Sequence, residues 1–536
     1  MVVTQSSLLL AVLLAAVAFG DARNTAGSYV ISVEHQTLGG QRYPRAAHGK
    51  TMSFFIGRAD KARPYDFTIN TASSVLLMTC RTGPARANCP AGLPASDNYV
   101  LQAANAVKGS NCSSIATGVG CPLPDPLNNR CFVSEPVTNR DGSHTIHNAV
   151  LSQDMITVRN VLYGNVISFK GYFGCSQASI SCGAAASSCY SDATTCPKTA
   201  AGIAPLFQGG CSGSGRGLTA GWSFGSNNAV SNGGVPAAGT LAVPEQLFRA
   251  GAVSKRVTGF CYLQPQKDNN CRGRLRRNSA VVLGPAVPKD LTDTILPVQT
   301  YSAPLLPAVL PKQVPGAAFA YANTYRSLVA SASVPVYLRP NMTQGPWSQN
   351  FTGTAVSFNP GEHSMLTVPT PVYTAFLDYY NQAAVKARSD AAAQGLTIQR
   401  CPAPVEQVCG MASDAPHTCQ QVSMATDDPS KLATATMLLL SMYPSINITL
   451  QGGAAAEVAT AIDLKLCDGD GSTGVTQGVA VCSYVLPAPE GDQGFGLGAP
   501  WFTGKFVQFD VSGAAPGYAE SVGKVTWSDP INSCMF

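Results

Sequence analysis

Six histidines and eighteen cysteines are the candidate metal ligands and nucleophiles of this 536-residue chain. The histidines form no His-Glu-x-x-His pattern, the spacing that places two imidazoles on one zinc ion. Ser212 and Ser214 lie in the Gly/Ser-rich stretch Gly210–Gly215, outside the strand-turn-helix setting that a hydrolase serine requires. We therefore expect no metal site, no cofactor and no serine hydrolase chemistry.

The cysteines of the first half form two clusters: Cys80, Cys89, Cys112, Cys121 and Cys131, then Cys175, Cys182, Cys189, Cys196 and Cys211. Four members of the second cluster recur every seven residues, whereas zinc sites usually pair cysteines two to four residues apart. An even number of cysteines in an exported chain favours disulfides. We expect disulfides here, with a connectivity that spacing alone leaves open.

Six motifs follow one another between Ser53 and Cys534. The first is Phe67–Ser74, which reads Phe-Thr-Ile-Asn-Thr-Ala-Ser-Ser and has Cys80 ten residues after Asn70. The others are Gly239–Leu247, Phe260–Leu263, Pro371–Phe376, Tyr443–Ala454, and Gly496–Gly498 with Phe506–Asp510 and Lys524–Ser528. In this order they resemble the plant pepsin-like aspartic proteases. The resemblance is closest to a non-catalytic group, the xylanase inhibitors, xyloglucanase-inhibiting proteins and basic seven-S globulins.

The first active-site turn of that family reads Asp-Thr-Gly, and the matching residues here are Asn70, Thr71 and Ala72. Aspartic proteases need two carboxylates that share one proton and titrate as a unit. An asparagine amide keeps an acceptor and a donor but cannot ionise. The resemblance therefore implies a degenerate first site.

The second turn is expected within Thr354–Ser364, which contains no aspartate. Depending on where a gap is placed, the catalytic position falls at Ser357, Phe358, Asn359 or Pro360, none of which is a carboxylate. Glu362 and His363 are the titratable side chains of this stretch, and we interpret them as an exposed turn pair.

The flap that closes over substrate in the family is expected at Asp141-Gly142-Ser143, where Asn139 takes the place of the family's tyrosine. Losing one acid-base group commonly costs about 10²- to 10⁴-fold in rate. The resemblance thus implies no catalytic residues. Asp468–Ser472 is interpreted as a surface turn, because it lacks the closing glutamate of a calcium-binding loop.

The resemblance implies a secreted, catalytically inactive protein that binds or inhibits cell-wall-degrading glycoside hydrolases. Two alternatives stay open, an aspartic-type endopeptidase with an atypical active site and a storage or ligand-binding pseudo-enzyme. In the xylanase inhibitors a histidine just before the terminal cysteine enters the target enzyme. Ile531 lies near that place here, which argues against inhibition of a xylanase by that route.

The apolar run Leu8–Ala18 ends at small residues, a pattern typical of a cleaved signal peptide. We predict a signal peptide over residues 1–20 and an extracellular location, in the apoplast or cell wall. The run is shorter than the roughly 20 apolar residues that span a bilayer, so no membrane anchor is expected. Four N-glycosylation sequons fit export: Asn111, Asn341, Asn350 and Asn447.

The net charge of +5 suits an acidic wall polysaccharide as a further partner. The one basic cluster, Arg272–Arg277, is interpreted as a solvated loop. No pattern of a nucleic-acid-binding module is present in the sequence.

Short apolar runs bounded by Gly, Pro, Asn and Ser predict an all-β (mainly β) architecture. The resemblance implies a bilobal pepsin-like fold with two β-barrel-like lobes and a few short helices. We predict an N-terminal lobe over residues 46–290, with Cys-rich insertions at about 80–131 and 175–211, and a C-terminal lobe over 298–536. The Pro-rich stretch Pro285–Pro315 is the predicted crossing. The best helix candidate is Pro371–Gln394, and the resemblance implies a Cys261–Cys534 disulfide.

Overall fold

The computed structural model describes residues 28–35, 50–57, 63–71, 75–81, 99–108, 123–124, 130–138, 144–160, 164–182, 204–205, 217–221, 242–263, 279–288, 299–306, 325–335, 346–361, 366–401, 418–423, 429–466, 478–483, 485–488, 494–513, 521–529 and 534. Several predictions concern residues outside these ranges. They are the signal peptide, Ala72, Asn111, Asn139, Asn341, Glu362, His363, Arg272–Arg277 and Asp468–Ser472.

Strands dominate the described residues. The first thirteen are β1 (Tyr29–His35), β2 (Lys50–Ile56), β3 (Arg63–Asn70), β4 (Leu77–Arg81), β5 (Tyr99–Val100), β6 (Leu123–Pro124), β7 (Cys131–Thr138), β8 (His144–Arg159), β9 (Val166–Cys182), β10 (Ala204–Pro205), β11 (Gly217–Gly221), β12 (Val257–Tyr262) and β13 (Ser279–Leu283). A short 3₁₀ helix covers Ala103–Asn105, and helix α1 covers Val243–Arg249.

The second half of the chain carries the remaining elements. The strands are β14 (Gln299–Leu305), β15 (Tyr325–Val334), β16 (Trp347–Asn350), β17 (Ala355–Phe358), β18 (Leu366–Val368), β19 (Ile398–Arg400), β20 (Cys419–Ser423), β21 (Ile446–Leu450), β22 (Ala455–Val458), β23 (Ala461–Leu466), β24 (Gly478–Ser483), β25 (Val485–Pro487), β26 (Phe495–Leu497), β27 (Lys505–Asp510) and β28 (Gly523–Asp529). The helices are α2 (Thr370–Ala393), α3 (Pro429–Leu440) and α4 (Ala499–Phe502).

The two halves of the chain contribute topologically matching units. In the first half the strands lie side by side in the order β2-β3-β11-β4-β9, and in the second half in the order β15-β17-β26-β18-β25. The successive pairs are antiparallel, parallel, antiparallel and parallel in both units. The predicted mainly β, bilobal fold is confirmed.

One stretch of sheet joins the two lobes. Its strands follow the order β14-β28-β27-β12-β13-β1, so that three come from the second half of the chain and three from the first. Every residue of β12 and β13 is buried, as expected for strands covered on both faces. Among the described residues the first paired strand is β1, which begins at Tyr29 and thus precedes residue 46, the predicted start of the N-terminal lobe.

Helix α2 begins one residue before the predicted Pro371 and ends one residue before the predicted Gln394. Proline in the first turn lacks the N–H that would be unsatisfied there, and the alanine-rich second half has high helix propensity. Its buried face includes Val372, Phe376 and Tyr380. No helix of the described ranges is long and apolar enough to cross a membrane.

Candidate site at the lobe junction

The two repeated units bring two asparagines to equivalent positions. Asn70 is the last residue of β3, and Asn359 directly follows β17. Each strand end is held by a parallel neighbour: Asn70 lies opposite Gly221 of β11, and the Asn359 N–H donates to the Leu497 carbonyl of β26 at 2.9 Å. The next strand of each unit, β4 or β18, begins seven residues after the asparagine.

Thr71 connects the end of β3 to the end of β17. Its hydroxyl donates to the Phe358 carbonyl at 2.8 Å and lies 3.2 Å from the Asn359 side-chain oxygen. Its backbone N–H also donates to that oxygen, at 3.4 Å. Thr71 is completely buried, so these bonds between residues 288 positions apart are shielded from water.

The Asn359 side chain is oriented by its donors. Its Oδ1 accepts from the Gly361 N–H at 3.2 Å in addition to the two Thr71 groups. Because backbone N–H groups only donate, the oxygen and not the amide nitrogen must face them. Asn70 and Asn359 are 9% and 8% exposed, so both amides lie at the edge of solvent access.

Gly361 lets the backbone of the turn after β17 come close to the backbone at the end of β3. A Cβ built on it would lie 1.4 Å from the Ile69 carbonyl oxygen. No side chain can be accommodated at that separation, so only glycine fits. The end of β3 and the turn after β17 are therefore in direct backbone contact.

Among the four positions that sequence left open, Asn359 is the one that lies at the strand end equivalent to that of Asn70. Ser357 instead donates its hydroxyl to the Phe495 carbonyl at 3.1 Å, and Phe358 packs against Trp501 and Phe509 in the core. Pro360 forms the turn between Asn359 and Gly361. The equal seven-residue spacing from Asn70 to Leu77 and from Asn359 to Leu366 is the sequence feature that could have identified Asn359.

The described residues of the junction, Asn70, Thr71 and Phe358–Gly361, are all neutral. Asn70 and Asn359 occupy the two equivalent strand ends, and neither is a carboxylate. Amides at these places can orient donors and acceptors, but neither can take a proton from water near neutral pH. Nor does any group of three possible metal ligands occur within the described ranges.

A second polar cluster lies on the first lobe, between Tyr99, Asn105 and Asp154. The Tyr99 hydroxyl donates to the Asp154 carboxylate at 2.6 Å, and the Asn105 amide donates to the same oxygen at 2.9 Å. Burial, followed by the bond to Asp154, raises the pKa of Tyr99 far above its ordinary value. The tyrosine therefore remains a neutral donor, and the cluster anchors β5 and the 3₁₀ helix to β8.

The other predicted residues lie away from the junction. Cys261 of β12 is bonded to Cys534, with an S–S distance of 2.08 Å. Asn350 is exposed on β16, and Asn447 is half-buried on β21. Two further disulfides join Cys80 to Cys175 and Cys419 to Cys482.

No family model and no curated protein matches the chain. Three solved structures are similar over most of its length. The crystal structure of edgp is 16% identical, with a TM-score of 0.48, and the match covers 94% of this chain and 95% of that one. Basic 7S globulin from soybean is 12% identical, with a TM-score of 0.46 and coverage of 95% and 98%. Conglutin gamma, a basic 7S globulin from lupine seeds, is 12% identical, with a TM-score of 0.48 and coverage of 95% of both chains. At these identities and TM-scores the likenesses assign no function.

Proposed function

We propose that this chain is a secreted, catalytically inactive pepsin-like protein that acts by binding, as an inhibitor of cell-wall-degrading glycoside hydrolases. One observation supports the proposed loss of catalysis. Asn70 and Asn359 occupy the equivalent strand ends of the two repeated units, so neither unit supplies a carboxylate at its strand end.

Proteolysis by an aspartic dyad needs one ionised carboxylate to take a proton from the attacking water. Neither amide can do so, and Asn359 Oδ1 is already engaged by three donors. Because loss of one acid-base group commonly costs about 10²- to 10⁴-fold, loss of both leaves negligible turnover by this route. This argues against the endopeptidase alternative.

The junction nevertheless keeps its bonds between the lobes, which supports a role that needs the folded surface and not the chemistry. Glycoside hydrolases present paired carboxylates in a cleft. A net charge of +5 favours association with such acidic sites and raises the encounter rate. Because the terminal loop offers Ile531 near the place of the inhibitors' histidine, a different surface must contact the target. A storage or ligand-binding pseudo-enzyme is the remaining candidate.

Proteolysis is tested by incubating the purified protein with a denatured protein substrate from pH 3 to pH 7, with and without pepstatin. An active pepsin-like protease serves as the positive control. We expect no pepstatin-sensitive cleavage. Cleavage that pepstatin abolishes, and that persists after Asn70→Ala with Asn359→Ala, would mean that the catalytic groups lie elsewhere.

Inhibition is tested against a panel of purified wall-degrading glycosidases, with each enzyme's rate measured as this protein is titrated in. A basic protein of similar net charge controls for unspecific electrostatic association. We expect saturable inhibition of at least one enzyme at near-stoichiometric ratios that survives 0.15 M salt, where the Debye length is about 8 Å. If no enzyme binds or is inhibited, the inhibitor role fails and storage or ligand binding becomes the leading role.

A further inference from the structure

Four strands of the second lobe form a sheet with one clearly apolar face. They lie in the order β22-β21-β15-β16. The apolar face carries Val334 and Ala332 of β15, Ile448 and Leu450 of β21, and Ala456 and Val458 of β22, all of them buried. The opposite face therefore points away from the core, because side chains alternate along a strand.

That outward face consists of two cross-strand rows. Paired residues place Ser348, Ser333, Asn447 and Glu457 in one row. The second row holds Asn350, Ser331, Thr449 and Ala455. Directly opposite residues of antiparallel strands share a face. All eight are exposed or half-buried, and Glu457 is the one charged residue among them.

Both N-glycosylation sequons of the described residues lie on this face. Asn350 is followed two residues later by the exposed Thr352, and Asn447 by Thr449 of its own strand. Asparagine is depleted in strands, so its presence on β16 and again on β21 is not explained by strand propensity.

The Asn447 side-chain oxygen also lacks a hydrogen bond that would explain asparagine at this position by its structural role. Its Oδ1 is buried and has no hydrogen-bond partner, which typically costs about 1–3 kcal/mol. Its cross-strand neighbours are the small Ser333 and the exposed Glu457.

We propose that Asn350 and Asn447 both carry N-linked glycans and that this sheet face is covered by them. With strands about 4.8 Å apart and a rise of about 3.4 Å per residue, the two attachment points lie about 12 Å apart. N-linked glycans are bulky, so two rooted this closely shield the whole two-row face. The inference depends on export of the chain and not on the identity of its partner.

The modification is a glycosyl transfer from a lipid-linked diphospho-oligosaccharide. The bond from sugar C1 to the phosphate oxygen breaks, a bond from C1 to asparagine Nδ2 forms, Nδ2 loses a proton, and the lipid diphosphate leaves. Asn350 lies on the edge strand β16, whereas Asn447 lies on β21, which is paired on both sides. The glycan at Asn447 is therefore less accessible to later trimming than the one at Asn350.

Site occupancy is measured on the full chain secreted from cultured plant cells. Peptide:N-glycosidase A in heavy-oxygen water converts each occupied asparagine to labelled aspartate, which peptide mapping then locates. We expect label at both positions, and release by endoglycosidase H at Asn447 in preference to Asn350. Thr449→Ala should abolish label at Asn447 alone, and the matched Thr449→Ser should retain it.

Shielding is measured by carbodiimide labelling of Glu457 before and after deglycosylation, with the exposed Asp378 of α2 as reference. We expect Glu457 labelling to rise several-fold on deglycosylation while Asp378 is unchanged. An unmodified Asn350 or Asn447 in the wild-type secreted protein overturns the proposal. So does Glu457 labelling that glycan removal leaves unchanged. The wild-type map decides occupancy even if the Thr449→Ala protein is not secreted.

Discussion

At the residue scale, the junction joins the ends of β3 and β17 through hydrogen bonds between neutral groups. Thr71 is the donor in all three bonds, of which two reach Asn359 Oδ1 and one reaches the Phe358 carbonyl. None of these bonds involves a charge. A carboxylate pair at the same buried strand ends would have to share a proton to avoid repulsion. The two amides avoid that constraint, because neither of them ionises near neutral pH.

Replacing Thr71 by valine removes its hydroxyl with little change in shape. The buried Phe358 carbonyl then loses a donor, and we expect the free energy of unfolding to fall by about 1–3 kcal/mol. Urea unfolding followed by tryptophan fluorescence measures the change. Thr71→Ser keeps the hydroxyl and should be clearly more stable than Thr71→Val. Equal stability of the two variants would show that the hydroxyl bond does not hold the lobes.

Gly361→Ala tests the backbone contact between the lobes. The new Cβ would meet the Ile69 carbonyl oxygen at 1.4 Å, and because neither partner is a movable side chain, the turn must shift. We expect a loss of about 3 kcal/mol or more, at the upper end for overpacking, measured as a lower melting temperature. Gly513→Ala is the control, since nothing lies within 4 Å of a Cβ there. A Gly361→Ala protein as stable as this control would contradict the contact.

The two halves of the site differ in how far sequence could predict them. Asn70 was identified because Phe67–Ser74 matches a motif without gaps. Sequence does not separate Asn359 from its neighbours, because Asn359-Pro360-Gly361 departs from the Asp-Thr-Gly pattern of the family that the sequence resembles, and the alignment can shift. In the structure the cross-lobe bonds of Thr71, which join residues 288 apart, distinguish Asn359 from its neighbours. Such a contact leaves no local pattern in the chain.

At the element scale, helix α1 is attached to β9 by one side chain. Gln246 Oε1 accepts from the Tyr172 N–H at 2.7 Å, and its Nε2 donates to the Tyr172 carbonyl at 2.9 Å. The amide thus pairs with the strand as another strand would. Because both bonds must be satisfied together, the position requires an acceptor and a donor on one side chain.

Gln246→Glu keeps the acceptor and loses the donor unless the new carboxyl is protonated. The folded state then favours the protonated form, so the pKa of the new glutamate rises above its ordinary value of about 4.3. The variant therefore keeps its stability relative to the wild type below about pH 4. It loses that stability as the pH rises through the pKa of the new glutamate in the folded state. We expect a loss of about 1–3 kcal/mol at pH 7, measured by urea unfolding at pH 4 and pH 7. Gln246→Met should lose similar stability at both pH values; a Glu variant that behaves in the same way would refute the donor role.

Elements with a strong local pattern were predicted well. Helix α2 lies within one residue of its expected bounds because proline at its start and alanine along it act locally. The repeated order of β2-β3-β11-β4-β9 and β15-β17-β26-β18-β25 was not predicted in detail. Parallel pairs such as β3 with β11 join distant segments, and no short-range period specifies the partner.

At the scale of the whole molecule, the Cys261–Cys534 disulfide ties the end of the chain to the sheet shared by both lobes. It links residues 273 positions apart. Removing it as Cys261→Ala with Cys534→Ala should lower the free energy of unfolding by about 2–5 kcal/mol. Urea unfolding under non-reducing conditions gives the value.

The control removes the Cys419–Cys482 bond, which closes a 63-residue span between β20 and β24 within the second lobe. We expect both double variants to lose stability. Only loss of the Cys261–Cys534 bond should release the last residues to carboxypeptidase digestion. If both variants resist digestion equally, the terminal bond does not secure the chain end.

The sheet shared by the lobes also sets an order of events during biosynthesis. Strand β12 is buried throughout, yet one of its two neighbours, β27, is synthesised more than 240 residues later. While the chain emerges, the β12 edge is an apolar template for wrong pairing. Only when residues 505–510 have been synthesised can β27 pair with that edge. Strand β27 thus completes a sheet begun by the first half of the chain, and a chain truncated before residue 505 would expose the apolar β12 edge to aggregation.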